Sequence, residues 1–165
     1  MTSIESRLQR LEDIEAIRAL NAEYCRDLDD GNWAALIELF TPDGEFIGLS
    51  NARGHAELLA FFGGLAAGGL TAFWHHVSNL EIDLNGDTAR VLSFLWQPCV
   101  QDGIAHVAGG RYDDTLARTH GRWRYRSKRV TFHYFAPLTN GWDHGRFSLE
   151  SARATRRMTA QPPRI

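Results

Sequence analysis

Hydrophobic positions in the first part of the chain fall at steps of three and four. Ile4, Leu8, Leu11, Ile14, Ile17, Leu20, Tyr24 and Leu28 trace one apolar stripe, which predicts a long amphipathic helix. Asp29, Asp30, Gly31 and Asn32 are residue types that end and restart helices, and Trp33, Leu36, Ile37 and Phe40 then mark a second, shorter one. TPDG turns the chain into a strand around EFIGL. A third helix is predicted over His55 to Phe62, entered near Arg53 and Gly54 and left through a glycine-rich loop.

From Thr71 onward the pattern becomes that of extended chain. TAFWHHVSNLEIDL turns at NGD into TARVLSFLWQPCV, QDG leads into IAHVAGGRYDDTLAR, and THG leads into RWRYRSKRVTFHYF. Each connection is short and hairpin-like. Three helices followed by a meander of long antiparallel strands predict an α+β domain whose helices cover one face of a curved sheet, leaving room for a cavity. Periodicity fades after Pro137, so residues 138–165 read as a C-terminal extension or tail of a single domain spanning 1–165.

Composition narrows the choice of partner. A chain of 165 residues with a formal net charge of -2 fits one domain and has no field to hold nucleic acid or an anionic bilayer. Small neutral molecules are the expected ligands. The run LLAFFGGLAAGGLTAFW is uncharged, but Gly63, Gly64, Gly68 and Gly69 interrupt it, so it reads as helix end, loop and strand start rather than a membrane span. Cys25 and Cys99 have no paired spacing for a disulfide or a thiolate zinc site. The start alternates charged with apolar residues and lacks a secretion signal, so a reducing cytoplasm is the expected location.

Candidate chemistry reduces to acid and base work. His75 and His76 are adjacent on a predicted strand and point to opposite faces, so they do not chelate one ion together. HExxH, HxH and cysteine-rich spacings are missing, and no bound metal is expected. AGG and FGG lack a phosphate-loop continuation, and there is no GxSxG nucleophile elbow. An imidazole oriented by a buried carboxylate takes a proton at neutral pH, and EYCRDLDDGNW offers such partners. Tyr24 lies on the apolar stripe, either as a core tyrosine or as a pocket hydroxyl. Asp29 is either a turn residue or an inward carboxylate. Alternation does not choose between the histidines: His76 shares a face with Trp74, Leu80, Ile82 and Leu84, and His75 with Phe73, Val77 and Asn79.

The segments IEAIRALNAEYCRDLDDGNWAALIELFTPDGEF, HHVSN, NGDTARV, GGRYDDTLARTHGRWRY and HYFAPL, taken in order, resemble the SnoaL-like proteins. Their cone-shaped α+β fold is that of scytalone dehydratase, ketosteroid isomerase and nuclear transport factor two: a curved mixed or antiparallel sheet and three N-terminal helices enclose a pocket. Within that group the chain is similar to bile-acid 7-alpha-dehydratase and hexachlorocyclohexane dehydrochlorinase. Both have an aspartate five residues after a polar pocket residue, which gives Tyr24 and Asp29 here, and a histidine four residues before the equivalent of Asn79, which gives His75. His76 then faces away, and a bulge reconciles the later alternation.

The resemblance implies that Asp29 braces one nitrogen of His75, that the other nitrogen takes a substrate proton, and that Tyr24 donates to a leaving or carbonyl oxygen. A dehydratase-like lyase or isomerase acting without a cofactor on a small hydrophobic oxygenated molecule is the expected activity. Departures from the pattern are Gln97, where the bile-acid enzyme has an acidic residue, and Phe132, where it has an arginine. Cys99 stands near the second histidine of scytalone dehydratase, and Gly48 near the isomerase's base, which disfavours ketosteroid isomerisation. Gln97, Cys99, Tyr112, Asp114 and His133 are further pocket candidates, with Arg129, or equally Lys128, as a source of positive charge. A noncatalytic ligand-binding or structural subunit, and a polyketide cyclase or hydroxylase, are the alternatives. A homo-oligomer, dimer or trimer, is also implied.

Overall fold

The computed structural model of the chain describes residues 3–140. Helix α1 (Ile4–Asp29) is capped by the Ser3 hydroxyl, which accepts from the Ser6 N–H at 3.2 Å. Its buried face, Asp13, Ile17, Leu20, Asn21, Tyr24, Asp27 and Leu28, keeps the helical step. The stripe is shorter than the sequence pattern suggests, because Ile4, Leu8 and Leu11 are exposed. Helix α2 (Trp33–Glu38), strand β1 (Phe40–Ile47) and helix α3 (Gly54–Gly63) lie close to their expected places, but Phe40 and TPDG, expected in the second helix and in a turn, belong to β1, and the short strand β2 (Asn51–Arg53) was not expected. Of the expected tail, only a 3-10 turn at Leu138–Asn140 falls within the described residues.

Strands β3 (Leu70–Phe73), β4 (His76–Asn85), β5 (Thr88–Gln101), β6 (Ile104–Thr119) and β7 (Arg122–Pro137) complete a sheet of order β2-β1-β7-β6-β5-β3, with β4 also on β5. Pairing is antiparallel except between β1 and β7, which run parallel, so the sheet is mixed. Helices and a strongly curled sheet form the cone-shaped α+β fold. The QDG and THG turns place Asp102 and Gly103, and His120 and Gly121, at positive φ, the conformation that two-residue hairpins favour. Curl is built in by register shifts at Gly109/Gly110 and Thr115/Leu116. At Gly110 a side-chain carbon would come within 2.5 Å of the Thr131 carbonyl oxygen, so the bend requires glycine.

The strand expected to run unbroken from Thr71 is divided. Trp74 and His75 fall between β3 and β4, and β4 shifts register between Ser78 and Glu81, where Asn79 has φ 54°. Val77 faces inward before the shift, and Leu80, Ile82 and Leu84 after it. The extra residue therefore reverses the phase of alternation. That reversal resolves the ambiguity between the neighbouring histidines.

Packing between α1 and the sheet is pinned by Asp13. Its carboxylate accepts from Trp123 Nε1 at 3.1 Å and from the Arg118 guanidinium at 2.8 and 2.9 Å, tying the helix to β7 and β6. Charge-assisted bonds of this kind contribute about 1.5–3 kcal/mol each. The apolar core, including Ile17, Leu28, Leu36, Phe40, Leu58 and Phe62, lies between the helices and the concave face. Among the described residues no helix is long and apolar enough to cross a membrane.

Candidate active site

Helix α1 ends in Asp29, with Gly31 at φ 72° just beyond it. A carboxylate at a helix C-terminus faces the negative end of the macrodipole, an unfavourable place for it. Its partners account for the position. His75 lies in the gap between β3 and β4, and its backbone N–H donates to Asp29 Oδ2 at 2.9 Å. Nδ1 of the same residue lies 2.5 Å from Asp29 Oδ1. An ionised carboxylate only accepts, so this network assigns the proton to Nδ1 and leaves Nε2 as an acceptor. The two side chains are 6% and 7% exposed. His76, one residue on, is exposed.

Tyr24, about one helical turn before Asp29, is 1% exposed. Its ring packs edge-on against Phe40, Tyr112 and Tyr125, with centroids 6.2, 6.5 and 5.5 Å away. Its hydroxyl is buried and has no hydrogen-bond partner among the described residues. Burial pushes the phenols of Tyr24, Tyr112 and Tyr125 well above the usual tyrosine range, so each is a neutral O–H at physiological pH.

Tyr24 and His75 belong to the wall of one narrow cavity. Gln97 and Tyr112 are its other polar members, and Leu28, Phe46, Phe61, Phe62, Phe73 and Phe132 contribute much of the apolar remainder. Among the described residues no charged side chain is part of the wall. The free space is about 40 Å³, room for no more than a few water molecules. A larger guest must displace half-buried side chains at the rim such as Phe61, Leu65 and Leu70.

Of the expected site residues, the fold thus gathers His75, Asp29, Tyr24, Gln97 and Tyr112 at or around one cavity. The others lie elsewhere. Arg129 is exposed on the far side of the sheet, paired in register with Asp113. His133 is also exposed, because it alternates with the inward Phe132. Cys99 is buried beside the β3 pairing partner Phe73 but is not part of the cavity wall. Burial pushes its thiol up to about 11, so it is not a ready nucleophile.

Lys128, the alternative to Arg129, faces inward because β7 leaves Arg126 without a partner between the pairs Tyr125–Leu116 and Ser127–Thr115. That bulge turns the phase of the strand. Its ammonium donates to Asp114 Oδ2 at 2.8 Å, and both side chains are fully buried. It contacts three tyrosine ring faces and is not part of the cavity wall. Burial pushes the Asp114 carboxyl up to about 6, with Lys128 pulling the other way. The sequence offered Tyr24, Tyr112, Asp114 and Lys128 as separate candidates but not Tyr125 or their grouping into a cage, and it missed most of the phenylalanine wall; the FF pair of α3 was the available signal for part of the latter. Among the described residues no three His, Cys, Asp or Glu side chains are grouped to hold a metal ion.

The sequence matches the SnoaL-like domain over residues 9–129. No curated protein matches it. Among solved structures, a scytalone dehydratase-like protein from Novosphingobium aromaticivorans DSM 12444 superposes with a TM-score of 0.71 at 22% identity, over 78% of this chain and 89% of that one. A type 3 hexachlorocyclohexane dehydrochlorinase from Novosphingobium barchaimii LL02 gives 0.74 at 20% identity, over 87% and 99%. An NTF2-like protein with a cystatin-like fold from Novosphingobium aromaticivorans gives 0.64 at 29% identity, over 93% and 97%. These likenesses establish the fold.

Proposed function

Since the chain belongs to the SnoaL-like domain family, we propose that the cavity is the active site of a cofactor-independent, dehydratase-like lyase or isomerase acting on a small hydrophobic oxygenated molecule. The observation that carries this reading is the hold of both Asp29 oxygens on His75. It fixes the ring against the backbone, leaving Nε2 as the free base of a residue in the cavity wall.

In a dehydration, Nε2 takes a proton from carbon, the C–H electrons form the new C=C bond, and the neighbouring C–O bond breaks. The departing oxygen accepts a hydrogen bond from Tyr24 and leaves as water, carrying the proton back from the imidazolium. Asp29 stabilises the transient positive ring. In an isomerisation the same proton returns at another carbon. The apolar wall keeps water from competing for the base.

A panel of cyclic β-hydroxyketones tests this, because dehydration gives conjugated enones that absorb in the ultraviolet. The protein is expected to turn over at least one member, and a folded His75→Ala variant to be slower by about 10²–10⁴-fold. No turnover by the wild type, or unchanged turnover by the variant, overturns the reading. One observation favours the second reading, a noncatalytic ligand-binding or structural subunit: the cavity is nearly filled by its own side chains. A folded protein that turns over no panel member, whether or not it binds one, would support it.

A further inference from the structure

Lys128 and Asp114 form a wholly buried ion pair, linked at 2.8 Å, between β7 and β6. Such pairs are poor sources of stability, since the desolvation of two charges offsets most of their attraction and apolar replacements often fold as well or better. What the pair touches suggests another use. The Lys128 ammonium lies 4.3 Å from the ring centroid of Tyr24, 4.0 Å from that of Tyr112 and 4.4 Å from that of Tyr125. Tyr24 and Tyr112 belong to the cavity wall, while Lys128 itself does not. The Tyr125 hydroxyl has a partner in Asn21 Nδ2 at 3.4 Å. The Tyr24 hydroxyl has none among the described residues.

We propose that Lys128, held by Asp114, is a positioning residue that acts through the ring of Tyr24, setting its orientation and strengthening its hydroxyl as a donor to oxygen that gains negative charge. A cation over an aromatic face draws π-electron density towards itself. The phenol oxygen becomes poorer in electrons, and its proton a better hydrogen-bond donor. In dry surroundings this effect is weakly screened. The ammonium reaches the site through the rings of Tyr24 and Tyr112 and is not itself part of the wall, and of the two hydroxyls it is that of Tyr24 that is buried without a partner among the described residues. Asp114 holds the Lys128 side chain centred among the rings. The inference rests on the proposed role of Tyr24 as a donor.

Binding of 4-nitrophenolate, followed by its visible absorbance at a pH where it is anionic, tests the proposal, because its oxygen stands in for the oxygen that gains charge. Nitrobenzene, similar in shape but without that oxygen, is the control. Lys128→Met combined with Asp114→Asn removes both charges together. The proposal expects this variant to bind 4-nitrophenolate about tenfold more weakly and nitrobenzene within about twofold of the wild type. In a Tyr24→Phe background, which keeps the ring and removes the hydroxyl, the same pair of substitutions is expected to change phenolate affinity by less than about twofold.

Equal losses in both backgrounds would mean that the ammonium acts directly on the ligand or through Tyr112, and would overturn the proposal. A parallel loss of nitrobenzene binding would reduce the cage to a structural support and also overturn it, as would unchanged phenolate affinity in the charge-free variant. Should that variant not fold, Lys128→Gln with Asp114→Asn keeps a neutral hydrogen-bonded pair and is held to the same outcomes. Failure of the wild type to bind 4-nitrophenolate would overturn the donor reading of Tyr24 itself, and this inference with it.

Discussion

At the scale of single residues, the unpartnered hydroxyl of Tyr24 separates stability from function. A buried donor without an acceptor costs about 1–3 kcal/mol. Tyr24→Phe removes that cost while keeping the ring contacts, so urea denaturation is expected to show equal or higher stability, by up to about 1 kcal/mol, together with lower turnover. A clear loss of stability would mean that the hydroxyl already has a structural partner. Asp29→Asn is expected to lower both stability and turnover. Two donors, the backbone N–H and Nδ1–H of His75, face this side chain, and an amide offers only one oxygen to them. Loss of about 1–3 kcal/mol in stability and of at least about a hundredfold in turnover is expected. The pairing of Asp29 with His75 was legible in the sequence only with the help of family spacing, since alternation alone left both histidines open. Lys128 and Arg129 stayed indistinguishable because the bulge at Arg126 that orients them leaves no local signature.

At the scale of elements, the segment from Leu70 to Asn85 shows why the strand pattern was only half readable. Its residue types favour extended chain throughout, and periodicity alone joins them into one strand. The break at Trp74 and His75 depends on a distant carboxylate that takes the His75 N–H, a contact invisible to local propensity. The later shift depends on Asn79, a residue type that tolerates its φ of 54°. Asn79→Val places a β-branched side chain where it is strained. About 1–2 kcal/mol of destabilisation is expected, with weaker turnover because His75 lies four residues away on the same segment. Asn79→Gly is expected to stay within about 0.5 kcal/mol of the wild type. Thermal melts of the two variants check the contrast, and equal effects would remove the backbone explanation.

Across the whole molecule, local periodicity was enough to anticipate three helices followed by long hairpins. The parallel pairing of β1 with β7 joins distant segments and has no local signature. Strand β5 exposes Phe94 and Trp96, and the gap between β3 and β4 exposes Trp74, apolar surface that self-association would bury; sedimentation of the wild type tests the expected oligomer, and a monomer at all concentrations would exclude it. Global stability has its own internal probe in Asp114. Its carboxyl is pushed up to about 6 by burial, above the ordinary value of about 3.9 in an unfolded chain. Between those values the folded state holds more protons than the unfolded state, so the Asp114 contribution to stability falls as pH rises from about 4 to about 6 and is constant above that. Replacing Asp114 by Asn together with Lys128 by Met should flatten that part of the pH profile in urea denaturation. Lys128→Met alone should destabilise the fold by about 3–5 kcal/mol at neutral pH, because it leaves a buried carboxylate unpaired. Acidification towards pH 4 should recover part of that loss as the carboxyl takes up its proton; a loss independent of pH would mean that the lysine contributes through packing and not through charge.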